Sequence, residues 1–78
     1  MKLLVRNLAR TTTENELRSL FEQYGQVQYC NLVMDPASGK SKGFAFIEIP
    51  KPAEARTAIR ELNQTSLDGN SIRVKAAD

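Results

Sequence analysis

The sequence of 78 residues predicts an α+β fold of β-α-β-β-α-β order, a split βαβ sandwich. Its four antiparallel strands would form one sheet, with two helices on one face. Three observations carry this expectation. Two stretches place apolar residues at helical spacing, strand-like runs flank them, and turn-forming residues stand at the junctions.

Leu3 to Asn7 reads as the first strand. Thr13 and Glu16 fit a capping box at a helix start. Leu17, Leu20, Phe21 and Tyr24 then recur at i, i+3, i+4 and i+7, one apolar stripe along a helix. Gly25 is placed to end that helix in a left-handed cap. Val27 to Met34 reads as the second strand, although Val27 and Cys30 do not share a period-two parity. A bulge, or a start nearer Gln28, reconciles them.

Asp35-Pro36-Ala37-Ser38-Gly39 is turn-forming, and Lys40-Ser41-Lys42 makes the connection basic. Gly43 to Ile49 is the third strand, closed by Pro50. Pro52 opens the second helix at its first position, with Ala55, Ala58, Ile59 and Leu62 as its buried stripe. Asn63 to Ser66 is a turn and Leu67-Asp68-Gly69-Asn70 is another. Ser71 to Lys75 is the last strand, with Ile72 and Val74 on one face.

Right-handed crossovers put both helices on the same side of the sheet, the ferredoxin-like arrangement. The expected strand order is last, first, third, second, so the first and third strands are central. The other side of the sheet is left bare, and function is to be sought there.

Length and composition narrow the function classes. A chain this short forms one domain, residues 1–78, with little core to spare for an enclosed pocket. There is no apolar run of about 18 residues, so no membrane span is expected. The start turns charged again too soon for a secretory signal. A single cysteine excludes an internal disulfide and makes a cytoplasmic setting the default. With no histidine, a soft-metal site cannot be assembled, and no cofactor is expected. No base-nucleophile arrangement is present, so the expectation is a binding protein and not an enzyme.

Strand alternation assigns the side chains to faces. If Ala45, Ile47 and Ile49 pack against the helices, Phe44, Phe46 and Glu48 point away from them. In the first strand Leu3 and Val5 face the core, while Leu4 and Arg6 face outward. The chain has three phenylalanines and two tyrosines, so two outward rings call for a use. The physical use is a platform on which unpaired bases stack, each worth roughly 1–3 kcal/mol. Arg6, Lys42, Arg73 and Lys75 rim that face, and Lys2, Arg10 and Lys40 lie in adjoining end or loop segments. On the helices, Arg18, Arg56 and Arg60 are offset by Glu14, Glu16, Glu22, Glu54 and Glu61. The net charge of +2 thus hides a basic face and a near-neutral one. Gly43 lets backbone or base approach closely.

Blander readings exist for each feature. A strand shifted by one would bury both rings, at the cost of exposing Ala45, Ile47 and Ile49. An outward patch would also serve a protein partner or a dimer mate. Lys40 and Lys42 would solubilise a loop, and Arg73 and Lys75 would guard an edge strand. Tyr24 closes the helix stripe, Tyr29 is a half-exposed strand residue, and Cys30 is a small buried hydrophobe.

Lys42-Gly43-Phe44-Ala45-Phe46-Ile47-Glu48-Ile49 resembles the octamer signature of the RNA recognition motif family, with isoleucine in place of the last aromatic. Leu3-Leu4-Val5-Arg6-Asn7-Leu8 is similar to the family's hexamer, and Leu62-Asn63 with Leu67-Asp68-Gly69-Asn70-Ser71-Ile72-Arg73-Val74 has the look of its C-terminal part. The resemblance covers essentially the whole chain and is nearest to short single-domain members found in bacteria. It implies that Phe46 and Leu4 meet successive bases, Phe44 packs between sugars, Lys42 contacts a phosphate, and Asn7 lies near a base or the adjoining loop. Leu4 departs from the family's Tyr or Phe, which weakens one of three platform positions. Tyr29 or Asn31 is then the candidate for the missing contact. The implied function is binding of single-stranded RNA by a monomer, in post-transcriptional regulation, with affinity of about micromolar order and strong salt dependence. The alternatives are a protein-interaction module using the same face, or single-stranded DNA binding.

Overall fold

The computed structural model describes residues 1–77. β1 (Lys2–Arg6) buries Leu3 and Val5 completely and turns Leu4 and Arg6 the other way. α1 (Glu14–Glu22) starts on the expected capping box. Thr13 Oγ1 accepts from the Glu16 amide at 3.1 Å, and Glu16 Oε1 accepts from the Thr13 amide at 3.3 Å. The cap satisfies backbone donors that a helix start leaves orphaned. Leu17 and Phe21 are buried, while Leu20 and Tyr24 sit half-buried at the margin of the stripe.

The end of α1 differs from expectation. Gln23 caps it in a right-handed conformation, its amide donating to the Leu20 carbonyl while those of Tyr24 and Gly25 donate to Phe21, and Gly25 is not left-handed. Gly25 serves a close approach instead. A β-carbon there would stand 2.7 Å from Glu54 Cβ and 3.2 Å from Ile49 Cγ2.

β2 (Tyr29–Met34) begins after Val27, which is buried ahead of the strand, and this resolves the parity conflict. Cys30 and Leu32 point inward, and Tyr29 and Asn31 outward. The β2–β3 register shifts between Leu32 and Met34. β3 (Ser41–Glu48) starts two residues earlier than the Gly43 expected, because Ser41 pairs with Met34 across the turn. Within that turn Gly39 donates to the Asp35 carbonyl at 2.7 Å, and the Ala37 amide donates to Asp35 Oδ1 at 2.9 Å.

α2 (Pro52–Leu62) opens on proline as expected, with Ala55, Ala58 and Leu62 buried and Ile59 half-buried. The segment after it holds one feature the sequence reading lacked. β4 (Ser66–Leu67) and β5 (Asn70–Ser71) form a short hairpin around Asp68 and Gly69, whose φ values of 52° and 85° are those of a tight two-residue turn. Asn70 and Ser71 are therefore committed to this hairpin, and the last strand, β6 (Arg73–Ala76), begins later than the predicted Ser71.

The four long strands pair antiparallel in the order β2-β3-β1-β6, with β1 and β3 central as expected. One core joins sheet and helices: Leu3, Val5, Ala45, Ile47, Ile72 and Val74 meet Leu17, Phe21, Ala55 and Ala58. Burying a side chain such as Phe21 contributes roughly 1.5–3 kcal/mol. Both helices thus occupy one face. Among the described residues no helix is long and apolar enough to cross a membrane.

Candidate nucleic-acid interface

The helix-free face is built by strand register. Asn31 lies opposite Phe46, Phe46 opposite Leu4, and Leu4 opposite Lys75, one row across all four strands. Toward one end of the sheet a second row holds Tyr29, Glu48 and Lys2. Toward the other, Arg6 stands opposite Arg73, and Phe44 follows Phe46 by one pleat on β3. The inward partners Ala45, Ile47 and Ile49 are fully buried. Alternation therefore forces both rings outward, and the register-shifted reading of β3 is rejected.

Phe44 and Phe46 meet edge to face, with ring centroids 6.1 Å apart and planes at 90°. Each is half-buried, since the two rings shelter one another. The ammonium of Lys2 lies 4.7 Å from the Phe46 centroid, a cation–π contact. Glu48, the acid expected on this face, accepts from the N-terminal ammonium at 2.6 Å.

The other cations of this face stand differently. Arg6 and Arg73 face each other directly, an arrangement that like charges make unfavourable. Among the described residues neither is in an ion pair, and the same holds for Lys40, Lys42 and Lys75. An anion laid over this face would relieve the repulsion. The helical side contrasts with it: Arg18 pairs with Glu22 at 3.5 Å and Arg60 with Glu61 at 3.2 Å.

The predicted site residues do not all converge. Leu4, Phe46, Asn31 and Lys75 share the central row, Tyr29 lies at the β2 edge, and Phe44, Arg6 and Arg73 lie toward the opposite end. Lys42 is exposed on β3, and Lys40 is exposed in the turn before it. Asn7 follows β1 with a left-handed φ of 60° and is tied to the short hairpin. Its Nδ2 donates to the Ser71 carbonyl at 2.8 Å, while its own carbonyl accepts from Asn70 Nδ2 at 3.2 Å.

Two cations, Lys2 and Arg10, stand in the sequence reading only as neighbours of the face. Lys2 is part of β1, not an end segment, and its parity with Leu4 and Arg6 was enough to place it on this face. Arg10 lies in the β1–α1 loop with its guanidinium against Gly43, and a loop offers no parity to read. Cys30 is buried on the opposite side of β2, its thiol pushed up to about 11 by burial first and Glu14 second.

A family model of the RNA recognition motif matches residues 3–73. The chain belongs to that family. The motif's octamer, Lys42 to Ile49, begins on β3, and its hexamer, Leu3 to Leu8, begins on β1, so the two signatures occupy the central strands. The chain is 42% identical over 76 residues to organelle RRM domain-containing protein 6, chloroplastic, of Arabidopsis thaliana, covering 97% of this chain and 42% of that protein. It is 34% identical over 77 residues to multiple RNA-binding domain-containing protein 1 of Candida albicans, covering 99% of this chain and 9% of that protein. The chain thus spans less than half the length of these relatives. Both are eukaryotic and do not extend the narrower resemblance to bacterial members. Among solved structures, the Sxl-lethal protein/RNA complex superposes with a TM-score of 0.92 at 35% identity, over 97% of this chain and 47% of that one.

Proposed function

We propose that residues 1–78 act as one RNA-binding domain that holds a few unpaired nucleotides of single-stranded RNA across the helix-free face. The observation that carries this reading is the outward Phe44–Phe46 pair set beside Arg6, Lys42, Arg73 and Lys75, which among the described residues are in no ion pair. Stacking on Phe46, with apolar contact from Leu4, supplies base contact. Phe44 packs against sugars. Arg6, Lys42, Arg73, Lys75 and, from the turn, Lys40 neutralise phosphates. Tyr29 and Asn31 extend the platform toward the β2 edge, and Asn7 borders its far end. The process is equilibrium binding with no chemical step, by a monomer in the cytoplasm, in the service of post-transcriptional control.

Support for RNA as ligand comes from the family and from the RNA complex formed by a relative of similar fold. The test is a titration of short random-sequence single-stranded RNA against the wild type and Phe46→Ala, with far-UV circular dichroism as the fold control. Loss of one stacked base predicts a weakening of about five- to 150-fold, from roughly 1–3 kcal/mol per base. Equal affinity with an intact spectrum rejects the reading. A DNA of the same sequence, run in parallel, reports whether the 2′-hydroxyl is read. Saturable capture of protein without RNA affinity at low salt would instead assign the face to a protein partner.

A further inference from the structure

One groove adjoins the stacking face, at the end of the sheet where β1 leaves it. It encloses about 650 Å³ between Arg6, Arg10, Lys42, Gly43, Phe44 and Asn70. Among the described residues no acidic one lines it, and none of its three cations is in an ion pair.

Arg10 is the unusual member. Its guanidinium lies against the backbone of Gly43, where any β-carbon would collide with Nη1 and stand 3.2 Å from Cζ and 3.1 Å from the Leu8 carbonyl oxygen. Gly43 also adopts a φ of +84°, a conformation that side chains other than glycine's rarely take. The glycine thus makes room for the arginine.

The loop bearing Arg10 is fixed from several sides. The Leu8 amide donates to the Gly43 carbonyl at 2.9 Å, the Thr12 amide to the Ala9 carbonyl at 3.1 Å, and Thr12 Oγ1 to Asp68 Oδ2 at 2.7 Å. Asn7 anchors the same loop to the β4–β5 hairpin. Three unneutralised cations held close together on a braced frame raise the free energy of the empty groove. An anion recovers that energy without first having to order the loop.

We propose that this groove takes a phosphodiester of the RNA strand, carrying its path off the sheet at the Phe44 end and onto the β1–α1 loop. Arg10 fixes the phosphate through its planar fork, Arg6 and Lys42 flank it, and Phe44 forms the wall continuous with the platform. This inference rests on the RNA-binding reading above and adds a contact that stacking does not supply.

The experiment measures affinity for short single-stranded RNA over a series of salt concentrations, using wild type, Arg10→Ala, Arg10→Lys, Arg60→Ala and Phe46→Ala. Arg60 is the comparison cation, exposed on α2 beside Glu61. Arg10→Ala is expected to weaken binding roughly tenfold at low salt, as for loss of a charged hydrogen bond. Its plot of log affinity against log salt should flatten by about 0.7, the value for one phosphate on a single strand. Arg10→Lys should keep the slope and lose only part of the affinity, which a merely structural role would not produce. Arg60→Ala should match the wild type. If Arg10→Ala behaves like Arg60→Ala while Phe46→Ala weakens binding, the groove is overturned and the sheet reading stands. If Phe46→Ala is also without effect, the RNA reading fails and the groove falls with it.

Discussion

The ammonium of Lys2 stands 4.7 Å from the centroid of the Phe46 ring, the ring proposed to carry a base. Cation and base compete for one aromatic face. A cation–π contact at a site open to water is worth about 0.5–1 kcal/mol, less than the roughly 1–3 kcal/mol of a stacked base. A base stacked there would displace the ammonium and leave it beside the incoming backbone. Replacing Lys2 by Met removes the competitor and a phosphate contact together. The slope of log affinity against log salt should fall by about 0.7. The variant should then bind more weakly at low salt and as well as or better than wild type at high salt, so the two lines cross. Coincident lines would show that Lys2 neither competes nor meets a phosphate, and parallel lines displaced upward would leave only the competition.

Leu4 occupies the centre of the sheet, with Phe46 on one side and Lys75 on the other. It offers apolar contact but no ring, at a position whose two neighbours are an aromatic ring and a cation. Leu4→Tyr should tighten RNA binding by up to roughly 1–3 kcal/mol if a base lies over this position. The same titration checks it. Unchanged affinity in a folded protein would mean that the RNA passes Leu4 by.

The sheet face was legible in the sequence because β3 alternates without interruption. Small and aliphatic residues at 45, 47 and 49 leave no other direction for Phe44 and Phe46. The capping box at Thr13 and the proline at the start of α2 were legible for a similar reason, since each is a local pattern with one physical use. What could not be read depends on contacts between distant segments. Gly25 looked like a left-handed cap, but its role is set by Glu54 from the second helix. Arg10 carried no periodic signal, and its position follows from Gly43 across the loop. The β4–β5 ladder is only two residues long on each side, too short for alternation to announce it, although its Asp-Gly turn was recognised as a turn.

Gly25 gives a test of fold separate from function. Its missing side chain leaves room for Glu54 Cβ, which is rigidly carried by α2 and cannot swing aside. Glu54 Oε1 also accepts from the Gln26 amide at 3.0 Å, so the contact is held from both sides. Gly25→Ala should cost about 1–3 kcal/mol through overpacking, read as a lower urea midpoint. RNA affinity of the folded fraction should stay unchanged, because this contact involves the helices and not the open face. An unaltered midpoint would show that α2 yields to the methyl group freely.

Cys30 links burial to pH. Its thiol is raised from 9.0 to about 11, by burial first, by the charge of Glu14 second, and against the opposing effect of Arg18. The unfolded chain releases this proton near 9.0, whereas the folded chain keeps it until about 11. Between those values the unfolded state binds fewer protons than the native state, so stability falls as pH rises through that window and is untouched below it. Comparison with Cys30→Ala isolates the thiol's share, since that variant retains every other side chain. Urea midpoints of both proteins, taken from about pH 8 to pH 11, should fall more steeply for the wild type. Equal slopes would mean that the Cys30 thiol ionises in the folded protein as readily as in water.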